Sequence, residues 1–125
     1  MSETDDNTYY VTSDDGNCAQ IYPLHVWERV AQKFQEPPRM DPAKMKLQRF
    51  TSYYGLLTQM DPQGRILIPP SLRSYAGLDK EVVILGMPNR FEIWDRERWD
   101  VEVSRFEKEG FEDPELAREI DSLGI

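Results

Sequence analysis

Leu56-Leu57-Thr58-Gln59-Met60-Asp61-Pro62-Gln63-Gly64-Arg65-Ile66-Leu67-Ile68-Pro69-Pro70 is the stretch that decides the fold of this chain. Asp61-Pro62-Gln63-Gly64 places Pro second and Gly fourth in a tight type I turn, whose Asp side chain can bond back to the backbone. Strand-like residues on both sides, Leu56–Met60 and Arg65–Ile68, predict a hairpin. Pro69-Pro70 cannot continue a central strand but suits a helix start. Ser71–Ala76 then predicts about two turns of helix, stopped by Gly77 in the left-handed cap position. Glu81–Met87 and Phe91–Trp94 follow as two more apolar runs. The order is strand, turn, strand, short helix, strand, turn, strand.

Upstream, Tyr9–Thr12 reads as a strand, Ser13–Asn17 as a turn cluster and Ala19–Tyr22 as the returning strand. Pro23 opens a helix whose apolar positions Trp27, Val30, Ala31 and Phe34 share one face. Glu36–Met40 breaks it, Asp41-Pro42 starts the next, and Gly55 stops that one. Downstream, Asp95 is placed to cap an amphipathic helix carrying Trp99, Val103 and Phe106, ended by Gly110. Asp113-Pro114 starts a short tail helix through Leu116 and Ile120.

An internal repeat runs through this order at a constant offset of 72 residues. Ile21, Trp27 and Phe34 match Ile93, Trp99 and Phe106; Asn17 matches Asn89, and Val11 is aligned with Val83. The same offset carries Asp61 to a position before Met1. The expected organisation is a partial first repeat with a linker helix (1–55), a complete repeat (56–99) and an acidic helical tail (100–125).

Composition narrows the function. The single Cys18 excludes an intrachain disulfide, and no metal-ligand spacing surrounds it or His25, the only histidine. No Ser/His/Asp set and no phosphate-binding glycine loop is legible, so an enzyme is not expected, nor a cofactor or a small-molecule substrate. Residues 1–8 are polar and acidic, without the basic start and apolar stretch of a signal peptide. The longest apolar run, Val82–Met87, is too short to cross a bilayer. A cytoplasmic protein is the expectation.

The net charge of −8 argues against a nucleic-acid binder if spread evenly, but it is not. Residues 1–42 carry a net −5, residues 43–80 a net +4, and residues 81–125 a net −7. The one basic segment holds the turn, and at a Debye length of about 8 Å a local positive surface acts despite distant acidic groups.

Asp61–Pro69, Tyr75-Ala76-Gly77-Leu78 and Asn89-Arg90-Phe91-Glu92-Ile93-Trp94 together resemble the SpoVT-AbrB domain, and specifically the second repeat of the MraZ family. The match runs without a gap over about 44 residues, and weaker likeness covers most of the chain. The resemblance implies an α+β fold, a small swapped-hairpin barrel with flanking helices, in which two units interleave because one leaves sheet edges unpaired. It implies a ring-type homo-oligomer and a sequence-specific DNA-binding regulator of division and cell-wall promoters, associated with the nucleoid. Members of that family resemble a tandem of two complete units; here the first is partial.

Arg65, beside Gly64 at the turn tip, is the sharpest candidate residue. A guanidinium there can pair bidentately with phosphate or guanine, or it can simply pair with Asp61. Gln63 either reads a base edge or is a tolerant turn residue. Arg73 and Lys80 are candidate phosphate contacts, although surface helices and turns carry such charges routinely. Lys44, Lys46 and Arg49 do not form one stripe and read as a solvated helix face. Two rival functions remain open: a DNA-silent subunit that joins oligomers of a complete relative, and an antitoxin-like protein that binds a toxin through its acidic tail.

Overall fold

The structure, a computed structural model, describes residues 7–109 and 113–124. Strands β1 (Thr8–Thr12), β2 (Ala19–Pro23), β3 (Leu56–Gln59), β4 (Val82–Gly86) and β5 (Phe91–Asp95) form one antiparallel sheet in the order β3-β1-β2-β5-β4. Helices α1 (Leu24–Gln35), α2 (Pro42–Tyr53) and α3 (Pro70–Tyr75) belong to the same compact unit, within Met1–Asp95. Helices α4 (Arg96–Glu109) and α5 (Pro114–Ser122) make a second unit, Arg96–Ile125. The chain is thus α+β, as the resemblance implies.

Opposed residues in an antiparallel sheet point to the same side. The registers therefore put Val11, Ala19, Ile21, Leu56, Ile84, Phe91 and Ile93 on one face. Leu72 and Ala76, four apart on and just after α3, close over this face and are both 0% exposed. Tyr54, Leu56, Ile66, Ile68 and Leu78 pack around that core. On the opposite face Trp27 of α1 stacks on Tyr10, with ring centroids 4.2 Å apart, and meets Tyr22.

Helix α2 is fastened to the sheet through one carbonyl. Tyr10 and Thr12 both donate their hydroxyls to the Thr51 backbone oxygen, at 2.9 and 2.8 Å. Gly55 follows because a Cβ there would run into the Tyr10 hydroxyl and the Thr51 carbonyl.

The segment expected as the second strand of the hairpin, Arg65–Ile68, joins no ladder. The Asp61 N–H donates to the Arg65 carbonyl across the turn, at 2.9 Å, while β3 pairs with β1. Two successive prolines and the inward packing of Ile66 and Ile68 draw this segment onto the sheet face rather than alongside β3. Helix α4 carries Trp99, Val103 and Phe106 as expected, though none of its residues is buried: Trp99 and Val103 are half-buried and Phe106 is 51% exposed. Gly110, the expected stop of that helix, lies outside the described residues. Asp113 does cap α5, accepting the Glu115 N–H at 3.0 Å.

The sheet carries a local two-fold. At the centre of the sheet Gln20 opposes Glu92, flanked by Ala19 opposite Ile93 and Ile21 opposite Phe91, and the 72-residue offset interchanges these pairs. Ile21 pairs with Val11 and Ile93 with Ile84, so Ile84 is the counterpart of Val11. The sequence alignment of Val11 with Val83 is off by one, because the second hairpin is one residue shorter between these pairs.

Candidate functional site

The turn predicted from Asp-Pro-Gln-Gly is built around the Asp61 side chain. Its Oδ1 accepts the Gln63 N–H at 2.9 Å and the Arg65 N–H at 2.8 Å. The Gly64 N–H closes the turn on the Asp61 carbonyl at 2.9 Å. Gly64 has φ +81°, a left-handed conformation that suits glycine, and nothing lies within 4 Å of where its Cβ would be.

Asp61 Oδ2 takes the Nε–H of Arg65 at 2.8 Å, so the pairing weighed from the sequence is present. The Arg65 side chain is nevertheless 75% exposed, and among the described residues its two terminal amino groups have no hydrogen-bond partner. Bonds from the Arg65 backbone and then its side chain hold the Asp61 carboxyl below the usual carboxylate range. One carboxylate thus fixes both the turn and the direction of the guanidinium. The outer edge of that guanidinium is left free for an anion or a base edge.

The other predicted site residues are placed differently. Gln63 and Gly64 are exposed and contiguous with Arg65. Arg73 lies in the last turn of α3, and Lys80 in the link before β4; both are exposed. Among the described residues no hydrogen bond or ion pair ties Arg73 or Lys80 to the turn. Lys44 reaches back to the Glu36 carbonyl at 2.8 Å, and Lys46 sits 6.0 Å from the centre of the Phe50 ring, consistent with a helix-surface role.

Sequence reasoning missed the polar cluster at the β5 end of the sheet. Arg90 pairs with Glu92 at 2.7 Å, and Glu92 also accepts the Trp94 indole N–H at 3.1 Å. Both Arg90 and Glu92 are largely covered, and the Arg90 Nε is buried without a partner. The i, i+2 spacing of Arg90, Glu92 and Trp94, which sets the three on one side of a strand, was the available signal. Nearby, burial and then the Glu92, Asp15 and Asp14 charges push the Cys18 thiol up to about 12, which keeps it protonated and unreactive.

A groove of about 320 Å³ runs between the turn segment and the second hairpin. It is lined by Ile66 and Ile68 on one side, Ile84 and Phe91 on the other, with Gly64 at its rim. Among the described residues no group of three or more His, Cys, Asp or Glu could hold a metal ion, and no helix is long and apolar enough to cross a membrane.

Residues 57–121 match a family model described as MraZ protein, antitoxin-like. A protein of Thioalkalivibrio sulfidiphilus named Transcriptional regulator MraZ is 39% identical over all 125 residues, covering 83% of that relative. Proteins of the same name from Nitrosospira multiformis and Nitrosomonas europaea are 44% and 42% identical over 74% and 85% of this chain, covering 63% and 73% of their own lengths.

Proposed function

Since this chain belongs to the MraZ family, we propose that it is a transcriptional regulator that binds DNA through the Asp61–Arg65 turn. The observation that carries this reading is the Arg65 guanidinium, aimed by Asp61 yet 75% exposed. Arg65 would take a phosphate or guanine, Gln63 a base edge, and the Gly64 backbone would permit close approach. Arg73 and Lys80 would bind further phosphates from the same basic segment. The targets would be promoters of division and cell-wall genes, and the protein would act in the cytoplasm at the nucleoid. No catalytic step is part of this reading, in keeping with relatives named as regulators.

A single turn grips DNA weakly, so affinity would come from several copies in a homo-oligomer engaging one DNA. The half-repeat, complete repeat and acidic tail would then serve as scaffold, reader and peripheral unit. The family description, antitoxin-like, favours one second reading, in which the acidic tail holds a toxin.

A mobility-shift assay on the region upstream of its own gene tests the proposal. Arg65→Ala should weaken binding and, for each phosphate that the guanidinium neutralises, flatten the slope of log affinity against log salt by about 0.9. Pairing with guanine would instead relax sequence preference, by about 1–3 kcal/mol. Unchanged affinity together with an unchanged slope rejects the turn as the reader.

A further inference from the structure

We infer that the outer face of α2 binds an unpaired strand of DNA, with Tyr53 as a stacking platform and Lys46 and Arg49 as phosphate contacts. The choice of DNA as the strand rests on the reading above, in which the chain acts at promoters. The site itself is independent of the Asp61–Arg65 turn.

Residues 42–60 hold Lys44, Lys46 and Arg49 and no Asp or Glu, in a chain whose net charge is −8. The helix sorts these cations in a way their spacing alone does not show. Lys44 is engaged with the Glu36 carbonyl, at 2.8 Å. Lys46, Arg49, Phe50 and Tyr53 fall at i, i+3, i+4 and i+7, which is one stripe, and all four are exposed. Among the described residues Lys46 and Arg49 have no ion-pair partner.

Tyr53 is 74% exposed, so burial does not account for its ring. The ring is held in place all the same. It stands at 85° to Tyr54, with centroids 4.8 Å apart, and Tyr54 stacks on Tyr75 of α3 at 3.9 Å. The helix beneath is fixed by the hydroxyls of Tyr10 and Thr12 on the Thr51 carbonyl. A ring oriented before its ligand arrives loses little freedom on binding. Lys46 lies 6.0 Å from the centre of the Phe50 ring, so cation and aromatic alternate along the stripe.

That alternation selects the ligand. A duplex keeps its base faces stacked on one another and offers a helix surface phosphates, for which cations suffice. An unpaired strand offers phosphates and bare base faces together, and cations interleaved with aromatics match both. From Lys46 to Tyr53 the stripe is about 10 Å long, at about 1.5 Å per residue. It has room for about three nucleotides, and such a site is tolerant of sequence.

Fluorescence anisotropy of a short labelled oligothymidylate, titrated with the full chain, tests this. The expected result is saturable, salt-dependent binding that Tyr53→Ala weakens about 10-fold, the loss of one stacked base. Tyr53→Trp should keep or strengthen it. Lys46→Gln and Arg49→Gln should each flatten the slope of log affinity against log salt by about 0.7, the single-strand value. Arg65→Ala should leave this binding unchanged, so failure here and failure of the turn as duplex reader are told apart. Absence of binding overturns the proposal, as does binding that Arg65→Ala abolishes. Loss with the two cation variants but none with Tyr53→Ala assigns the face to phosphates alone and overturns it. Displacement by polyglutamate as readily as by unlabelled oligothymidylate assigns the face to an acidic protein, and tighter binding of oligouridylate assigns it to RNA; either result overturns the proposal.

Discussion

Val11 and Ile84 occupy equivalent places in two halves of one sheet, yet one is 0% exposed and the other 62%. Both are β-branched, and both oppose an isoleucine of the inner strand pair. Only their surroundings differ: Leu72, Ala76, Ile66 and Ile68 gather over the first half, and among the described residues nothing equivalent lies over the second. Strand pattern thus sets which side of a sheet is apolar, and the connecting segments decide which part of that side is dry.

The largest contrast should come from truncating each half. Leu72→Ala removes the centre of the cover and should cost about 2–5 kcal/mol, measured by urea unfolding. Ile84→Ala in dilute protein should stay within about 0.5 kcal/mol. Equal losses would mean that the second half is covered in solution and would break the comparison.

The glycines sharpen it next. Gly55→Ala drives a methyl into the Tyr10 hydroxyl and the Thr51 carbonyl and should cost about 1–3 kcal/mol, as overpacking does. Gly64→Ala meets open space, so only its φ of +81° opposes it, at about 1–2 kcal/mol. Thermal melts of both variants would rank the packed half against the free turn.

Titration gives the smallest effects, with opposite signs. Cys18, in the covered half, has its thiol raised from 9.0 to about 12, chiefly by burial. Its contribution is complete below pH 9.0 and is lost as pH rises toward about 12, because the unfolded chain ionises first. The urea midpoint should therefore be insensitive to this group up to pH 9, with the thiol inert to Ellman's reagent until the chain unfolds. Asp61, at the turn, is lowered from 3.8, so its contribution is present above that value and disappears as pH falls through the lower folded one. The Arg65 amide resonance should shift with a midpoint below 3.8.

Much of this was legible in the sequence, for local reasons. Asp61, Pro62 and Gly64 specify the turn among themselves, and Pro70 and Gly77 bracket α3 through their own backbone preferences. The Asp61–Arg65 pair, four residues apart, was one of two readings of the same local chemistry. Partners distant along the chain were not legible. Nothing in Leu56–Gln59 says that these residues pair with Thr8–Val11 instead of with the segment across the turn. The stack of Tyr54 on Tyr75, with centroids 3.9 Å apart, likewise joins α2 to α3 with no periodic signature. The one-residue offset between Val11 and Ile84 was hidden because both Val83 and Ile84 suit a strand, and only the ladder tells them apart.

The sheet order also has a consequence for how the chain folds in time. Strand pairs β1–β2 and β4–β5 are local hairpins, of a kind that closes in about 1–10 μs. The ladder that unites them, Ala19–Ile21 with Phe91–Ile93, spans most of the chain, and β3 is likewise far along the chain from β1. Loop closure over such distances comes before any reward from the pairing, so docking of the two hairpins should limit the folding rate. Until they dock, β2 and β5 are edges as well, and refolding yield should fall as protein concentration rises.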